Sequence, residues 1–156
     1  ARDRVKEKMK EGYCMIQFDF TNAFGTVRRT EIIERLKFYE VPLPYIRYIS
    51  KMLNRQRVEW EGEDGEYKST SIETGVPQGE PLSMLLFAMG VDRVVKSFDE
   101  MDGVDMTAYA DDIVMVIRDP TRIIELMDKF EEEAKKCGLS CNARKTKVGI
   151  TSEIQK

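Results

Sequence analysis

The chain has 156 residues, 42% of them hydrophobic, a length and composition that fit one globular domain with a substantial core. It contains no histidine, which excludes Ser-His and Cys-His nucleophilic catalysis and the common histidine-containing zinc sites. The 25 basic and 28 acidic side chains give a net charge of -3, so any contact with nucleic acid has to come from a local surface rather than from the overall field.

The N-terminal third predicts a helix, a strand and two more helices. Charged residues 2–11 are typical of a short surface helix. The segment YCMIQFDF (13–20) predicts a buried strand with Asp19 at its C-terminal end. Helical spacing of apolar residues then predicts one helix over EIIERLKFYE (31–40) and, after two prolines, another over about 45–54.

The middle of the chain predicts a hairpin, a loop and a long helix. The pair Asp64-Gly65 is typical of a turn between two short strands. The segment GVPQGEP (75–81) cannot form regular structure, and Pro81 suits the first turn of a helix over LSMLLFAMGVDRVVKSFDEM. This helix is expected to be the most buried one, through Leu82, Leu85, Leu86, Met89, Val94, Val95 and Phe98.

The C-terminal third predicts a strand pair, a helix and a last strand. Two apolar arms around Ala110-Asp111-Asp112 (110–112) indicate a tight antiparallel hairpin. Asp119 is expected to cap a helix that runs to Cys137 and is closed by Gly138, and a short strand follows over about 147–150. The buried side of this helix is expected to contain Ile123, Ile124, Met127, Phe130 and Ala134.

The order of these elements predicts the fold class. A strand, two helices, a hairpin, a helix, a strand pair, a helix and a strand form an α+β pattern. It resembles a split βαβ (ferredoxin-like) sheet, mainly antiparallel, with helices packed on one face. No internal repeat or linker interrupts it, so the chain is expected to form one unit over residues 1–156.

Cysteines and hydropathy indicate an intracellular protein. Cys14, Cys137 and Cys141 are an odd number without a repeating pair spacing, which favours free, buried thiols in a reducing compartment. No apolar run reaches the roughly 18 residues of a membrane span, so no membrane partner is expected. The N-terminal residues also lack the apolar centre of a signal peptide.

Three carboxylates are expected to gather at one edge of the sheet. Asp19 ends one central strand, and Asp111 and Asp112 form the tip of the neighbouring hairpin. Such a cluster repels itself unless hard divalent metals neutralise it. Two metals about 3.5 to 4 Å apart can activate a hydroxyl and stabilise a leaving phosphate oxygen without histidine. The alternative interpretation is that two aspartates at a hairpin tip are solvated turn residues.

Four segments resemble, in order, the successive palm motifs of reverse transcriptases. They are FDFTNAFGTV, GVPQGEPLS, AYADDIVMV and GLSCNARKTKV, and the resemblance covers about 13–150. It is greatest to the branch of non-LTR retrotransposons and group II introns. The resemblance implies the palm subdomain of an RNA-directed DNA polymerase, in which a primer 3′-OH attacks the α-phosphate of a dNTP on an RNA template. The implied partners are RNA template, DNA primer and dNTP.

The resemblance also implies a role for each carboxylate. Asp19 and Asp111 would bridge two Mg²⁺ ions, for which Mn²⁺ can substitute, and Asp112 would be a less essential third carboxylate. The backbone carbonyl of Phe20 would be a further metal ligand. Lys145 matches the lysine proposed to protonate the leaving pyrophosphate, although a charged surface turn explains it almost as well.

Further residues match the family's nucleotide and template contacts. Phe24 corresponds to the aromatic steric gate that excludes a 2′-OH, and the alternative is a core aromatic. Gly25 stands where the family often has aspartate, and Glu80 replaces a more usual aspartate at a helix start, where either carboxylate can cap. The implied nucleotide contacts are Ala23, Phe24, Gln78 and Gly79, and the implied template or primer contacts are Pro77, Gln78 and Tyr109.

Other parts of the family's enzymes do not fit in this chain. The fingers and thumb subdomains would precede and follow the palm, so the chain is expected to be a palm fragment that folds but is inactive by itself. A nuclear location is expected if the source is a eukaryotic retrotransposon. Two other functions stay open: a nucleotidyl-cyclase-like two-metal enzyme, whose signature loops are not visible, and a non-catalytic scaffold derived from a reverse transcriptase.

Overall fold

The computed structural model describes residues 13–150, so the helix expected over residues 2–11 lies outside the described part. In chain order the elements are β1 (Cys14–Phe18), α1 (Ala23–Thr26), α2 (Arg29–Phe38), α3 (Leu43–Asn54), β2 (Arg57–Glu61), β3 (Tyr67–Ser71), α4 (Pro81–Asp99), β4 (Val104–Tyr109), β5 (Asp112–Ile117), a 3₁₀ turn (Pro120–Arg122), α5 (Ile123–Lys136) and β6 (Lys147–Ile150). Apart from the short helix α1 and the 3₁₀ turn, which the sequence did not predict, the order and type of these elements agree with the sequence-based expectation.

The central sheet has four strands in the order β4-β5-β1-β6, and each neighbouring pair is antiparallel. Phe18 pairs with Ile113, and both side chains are buried. Gln17 pairs with Val114 on one side and with Lys147 on the other, so their side chains share the opposite face. The predicted α+β class with a mainly antiparallel sheet is confirmed.

Helices α4 and α5 cover the inner face of this sheet. Phe130 of α5 stacks on Phe18 of β1, with ring centroids 3.7 Å apart. Phe98 of α4 packs against the same Phe130 ring at a centroid distance of 6.2 Å. The buried residues of α4 recur at helical spacing, and they are Ser83, Leu86, Phe87, Gly90, Val91, Val94 and Phe98. The helices therefore lie on one face, as expected, and α4 supplies the largest set of buried helical residues.

Two residues expected in the core lie outside it. Leu85 is 52% exposed and Ile124 is 74% exposed. Each successive residue turns an α-helix by about 100°, so only one stripe of each helix reaches the sheet. In α4 that stripe passes through Leu86 rather than Leu85, and in α5 it passes through Leu126 rather than Ile124.

Strands β2 and β3 form a separate two-stranded sheet. The turn follows the sequence-based prediction, with Gly65 at φ 77° and the N–H of Gly62 donating to the carbonyl of Glu66 over 2.8 Å. All ten strand residues are exposed. The hairpin therefore contributes nothing to the core between the main sheet and its helices.

The cysteines are free, as expected. Cys14 and Cys137 are buried, whereas Cys141 is only partly covered. Burial raises the pKa of both Cys137 and Cys141 to about 11, so both thiols stay protonated at neutral pH. Within residues 13–150 no helix has the length and apolar character to cross a bilayer.

Candidate active site

Asp19 and Asp112 line one cavity at the edge of the central sheet. Asp19 directly follows β1 and Asp112 begins β5, next to the paired residues Phe18 and Ile113. Because side chains alternate along each strand, this register directs both carboxylates to the face opposite the core. The cavity has a volume of about 320 Å³, and its lining residues are Gln17, Phe18, Asp19, Asp112, Arg144, Lys145 and Lys147.

One oxygen of Asp19 has no partner. Its Oδ2 is buried and accepts no hydrogen bond from any residue in the described range. A buried carboxylate oxygen without a donor is costly, so this position favours a cation or a donor supplied from outside the chain. Carboxylate oxygens are the ligands that hard divalent ions prefer. The site therefore fits a divalent metal chemically, through Asp19 and Asp112.

The backbone after Asp19 offers a further oxygen. Phe20 forms an isolated antiparallel bridge with Cys141. The two hydrogen bonds of this bridge use the carbonyl of Asp19, which accepts from Asn142 over 2.7 Å, and the N–H of Thr21. Phe20 is thus in the non-hydrogen-bonded position, and its carbonyl points away from Cys141. This orientation leaves the Phe20 carbonyl free of the bridge that fixes Asp19.

Asp111 is not among the residues that line this cavity. It lies in the two-residue turn between Tyr109 and Asp112, after Ala110 at φ 53°, and is exposed. Within residues 13–150, no three acidic, cysteine or histidine side chains are arranged to hold a metal ion. The convergence of Asp19, Asp111 and Asp112 therefore stays a prediction, with Asp19 and Asp112 already at a common cavity.

Lys145 lies where the sequence suggested, beside the carboxylates. The hydrogen bond from Asn142 to Asp19 ties the segment before β6 to the end of β1, and the following turn carries Arg144 and Lys145 into the cavity wall. Within the described part of the chain, neither cation is within 4.0 Å of a carboxylate oxygen of Asp19 or Asp112. Both cations thus remain available to an anionic ligand.

A second cleft of about 530 Å³ lies at the start of α4. Phe24 forms one wall and stacks on the buried ring of Phe87, with centroids 4.6 Å apart. Gln78 and Gly79 form another wall. Ser83 also lines the cleft, and its buried Oγ has no hydrogen-bond partner among the described residues. The ring of Phe24 therefore belongs both to the core and to a cleft, which combines the two interpretations of its role.

Gly75 brings the loop before this cleft close to the chain that carries Phe24. Its N–H donates to the carbonyl of Val27 over 2.8 Å, and the N–H of Val76 donates to the carbonyl of Phe24 over 2.7 Å. Gly75 has φ 74°, and a Cβ there would lie 2.6 Å from the carbonyl carbon of Gly25. Only glycine allows this approach.

Arg29 is a positioning residue that sequence reasoning missed. Its Nε donates to the carbonyl of Gly75 over 2.8 Å, and its Nη1 donates to the carbonyl of Ile72 over 2.5 Å. Its Nη2 donates to the side-chain oxygen of Gln56 over 2.8 Å. One guanidinium thus joins α2, the end of α3 and the GVPQG loop. Nothing in the sequence distinguishes it from the adjacent Arg28, because its partners are distant in the chain.

The other residues that were expected to contact nucleotide, template or primer differ from Phe24 and Gln78 in their surroundings. Ala23 is buried in the core and is not among the residues that line the cleft, so its side chain does not reach this space. Pro77 is partly buried, and Tyr109 is 74% exposed beside Asp112. Glu80 does not use its carboxylate as a cap, although the sequence allowed it. Glu80 occupies the N-cap position without a side-chain hydrogen bond, and its backbone carbonyl instead accepts from the N–H of Ser83.

Comparison with known proteins gives matches along nearly the whole chain. The family model described as "Reverse transcriptase (RNA-dependent DNA polymerase)" matches residues 2–155. A Pol polyprotein of the retrotransposable element R2 from Bradysia coprophila is 32% identical over 92% of this chain and 17% of its own length. The corresponding protein of element R2DM from Drosophila melanogaster is 26% identical over 90% of this chain and 14% of its own length. The chain thus spans a small part of these relatives.

Solved structures share the fold. Telomerase from Candida tropicalis in complex with a fragment of telomeric RNA superimposes with a TM-score of 0.77 over 97% of this chain and 29% of the telomerase, at 15% identity. Telomerase from Candida albicans, also with telomeric RNA, gives a TM-score of 0.74 over 96% of this chain and 30% of its own, at 11% identity. At these identities the likeness concerns the fold alone.

Proposed function

This chain belongs to the reverse transcriptase family, and we propose that it forms the palm of an RNA-directed DNA polymerase that adds a dNTP to a primer 3′-OH on an RNA template. The observation that supports the proposal most directly is the cavity lined by Asp19 and Asp112, together with the buried Oδ2 of Asp19, which has no hydrogen-bond partner among the described residues. Such a group of oxygens in a chain without histidine suits phosphoryl transfer assisted by divalent metal.

Family membership implies divalent metal ions, and we assign them to this edge of the sheet. Asp19 and Asp111 would hold these ions, with Asp112 as a less essential third carboxylate and the carbonyl of Phe20 as a further ligand. The proposed ions are Mg²⁺, with Mn²⁺ as a substitute. Bound there, they would supply Lewis acidity at the attacking hydroxyl and at the leaving phosphate oxygen.

The chain's own side chains would orient the substrates. Lys145 lies at the same cavity and would donate a proton to the leaving pyrophosphate. Phe24 would exclude a 2′-OH from the sugar position, because the stack on Phe87 prevents the ring from yielding. Gln78 and Gly79 would contact the nascent base pair from the opposite wall of the cleft, with Pro77 and Tyr109 next to template and primer.

The rest of the polymerase would lie elsewhere in the parent protein. The chain spans only 17% and 14% of two R2 relatives, which leaves room for fingers and thumb. RNA is the proposed template partner, and the telomerase with the same fold was solved with telomeric RNA. A nuclear location follows if the parent inserts its DNA product into chromosomes.

The test is primer extension on an RNA template by the full-length parent protein that contains this chain. Asp19→Asn and Asp111→Ala should each lower the extension rate by roughly 10³-fold or more, because the metal ligands stabilise charge that develops only in the transition state. Asp128→Asn, an exposed acidic residue on α5, is the matched control and should keep the parent's rate.

Two further results decide between polymerase and scaffold. Asp19→Asn should not lower the melting temperature, because it replaces a buried carboxylate oxygen that has no donor. Equal extension by the parent and both aspartate variants would overturn the assignment of the metal ions to Asp19 and Asp111. No extension by the parent would overturn the polymerase assignment in favour of a non-catalytic scaffold.

A further inference from the structure

Helix α3 and its flanks form a basic stretch in an acidic chain. Residues 41–58 contain the cations Arg47, Lys51, Arg55 and Arg57 and not a single aspartate or glutamate, although the whole chain has a net charge of -3. The sequence therefore concentrates positive charge at one place. A local surface of this kind is the type of nucleic-acid contact that the overall composition still permits.

The structure places three of these cations on the outer side of α3. Ile46, Ile49 and Leu53 form the buried stripe of the helix. Arg47 and Lys51 are four residues apart and Arg55 follows after another four, so they form one row that is exposed to solvent. Residues four apart on a helix are neighbours, and the row thus presents three charges along about two turns.

These cations are not neutralised by neighbours. Within residues 13–150, Arg47, Lys51 and Arg55 form no ion pair with a carboxylate. The lysines of α5 behave differently, since Lys135 pairs with a glutamate at 3.0 Å and Lys136 pairs with another at 2.7 Å. A solvated surface helix normally interleaves both signs, as α5 does. The row on α3 instead leaves its charge available to an external polyanion.

Two tyrosines accompany the row. Tyr45 is 64% exposed and Tyr48 is 66% exposed, and neither side chain has a hydrogen-bond partner among the described residues. Tyr48 lies three residues before Lys51, so the two side chains are neighbours on the helix surface. Exposed aromatic rings beside cations are the combination that stacks bases and neutralises phosphates in single-stranded nucleic acid.

We propose that the α3 face, defined as Tyr45, Arg47, Tyr48, Lys51 and Arg55, binds single-stranded nucleic acid. The phosphates would lie along the three cations, and the unpaired bases would stack on the two tyrosine rings. The proposal rests on the proposed function only in the choice of RNA as the first ligand to test. The surface itself is separate from the carboxylate cavity and from the cleft at Phe24.

Hydrogen bonds connect the end of α3 to the loop that leads to that cleft. Gln56 follows α3 after one residue, and its side chain accepts a hydrogen bond from Arg29. Arg29 also donates to the carbonyl of Gly75 in the loop that leads to Gln78. Through these contacts a strand bound on the α3 face would lie near the cleft, and the surface would guide a strand that enters or leaves it.

The experiment measures fluorescence anisotropy of a labelled, unstructured RNA of about 15 nucleotides with the 156-residue chain, without metal or nucleotide. The triple variant Arg47→Gln, Lys51→Gln, Arg55→Gln should weaken binding at least tenfold. It should also reduce the slope of log K against log salt by about 2, since each single-strand phosphate contact contributes about 0.7. The double variant Tyr45→Ala, Tyr48→Ala should weaken binding by about fivefold or more.

Matched controls separate this surface from general electrostatics. The triple variant Arg93→Gln, Lys135→Gln, Lys136→Gln removes the same charge elsewhere and should bind like the parent chain. Because the assay contains neither metal nor nucleotide, failure of polymerisation and failure of this proposal are distinguishable. Single-stranded DNA of the same length is the second ligand, and loss of binding in the α3 variants with either ligand supports the proposal.

Two results would contradict the proposal. Equal weakening by both triple variants would show that binding follows net charge and not the α3 face. No binding of either ligand by the parent chain, with circular dichroism showing a folded protein, would overturn the proposal in favour of a protein neighbour on this surface. Circular dichroism on each variant shows that weakened binding does not come from unfolding.

Discussion

The rings of Phe24 and Phe87 are stacked with 19° between their planes, and Phe24 also lines the cleft that Gln78 lines. A side chain that is fixed in this way by the core can act as a rigid wall toward a ligand. The contact with Phe87 should contribute to stability, and the proposed selection of the sugar should depend on the part of Phe24 that lines the cleft, so we expect mutations to separate the two effects.

The first prediction concerns sugar selection. In the full-length parent, Phe24→Ala should raise incorporation of ribonucleotides relative to deoxyribonucleotides, because it removes the steric clash with a 2′-OH. It should also lower stability by about 2 kcal/mol, less than the 3 to 5 kcal/mol typical of a fully buried phenylalanine. Phe87→Leu is the control that weakens the stack without opening the cleft, and single-nucleotide incorporation kinetics is the measurement. Unchanged sugar preference in Phe24→Ala would leave the ring a core residue only.

The second prediction concerns Arg29. Arg29→Ala should lower the free energy of unfolding by about 2 to 3 kcal/mol, because it removes charge-assisted hydrogen bonds to Ile72, Gly75 and Gln56. Amide hydrogen exchange over residues 72–79 should become faster. Arg28→Ala, an exposed neighbour, should change neither quantity. Equal protection of the loop in both variants would contradict the role of Arg29.

The third prediction compares two glycines with the same backbone conformation. Gly75 has φ 74° and Gly65 has φ 77°, so alanine is strained at both positions by about 1 kcal/mol. At Gly75 the new Cβ would also overlap the backbone of Phe24 and Gly25, whereas nothing lies within 4 Å at Gly65. Chemical denaturation should therefore show a loss of about 3 kcal/mol or more for Gly75→Ala and about 1 kcal/mol for Gly65→Ala. Similar losses would show that the loop readily moves away.

The fourth prediction is a dependence of stability on pH. Burial raises the pKa of Cys137 and Cys141 to about 11 in the folded chain, while unfolded thiols ionise near about 8.5. The folded state thus holds protons that the unfolded state releases, so the contribution is complete below about pH 8 and is lost as the pH rises to about 11. Urea midpoints at pH 7.5 and 10.5 should differ less for the double variant Cys137→Ala, Cys141→Ala. An equal change of the urea midpoint in the parent chain and in the double variant would mean that the thiols ionise equally in the folded and unfolded states.

Local sequence signals predicted the helices and strands. The features that the sequence did not predict depend on contacts between residues that are distant in the chain. The Asp64-Gly65 turn and the cap by Asp119, whose side chain accepts from the N–H of Thr121, depend on residues close in the chain. Leu85 was placed in the core because an apolar run does not show which stripe of a helix faces the sheet. The same limit hid Arg29, whose partners are 27 to 46 residues away.

The candidate site likewise has residues that motifs predicted and features that only the folded structure shows. The resemblance of four motifs predicts roles for Asp19, Asp111, Asp112 and Lys145, and the register of β1 with β5 places Asp19 and Asp112 at one cavity. The position of Asp111 depends on the conformation of a two-residue turn, which no periodic pattern predicts. The missing partner of Asp19 Oδ2 is likewise a property of the packed structure and not of any motif.

The hairpin of β2 and β3 has its ten strand residues exposed and is held at its base, where the N–H of Ile72 donates to the carbonyl of Gln56 over 3.0 Å. A segment attached only at its base can be lengthened without disturbing the packing beneath it. The tip at residues 63–65 is therefore the natural place to insert an epitope tag or a fluorescent reporter. A label there would report the location of the parent protein in cells and leave both the carboxylate cavity and the α3 face intact.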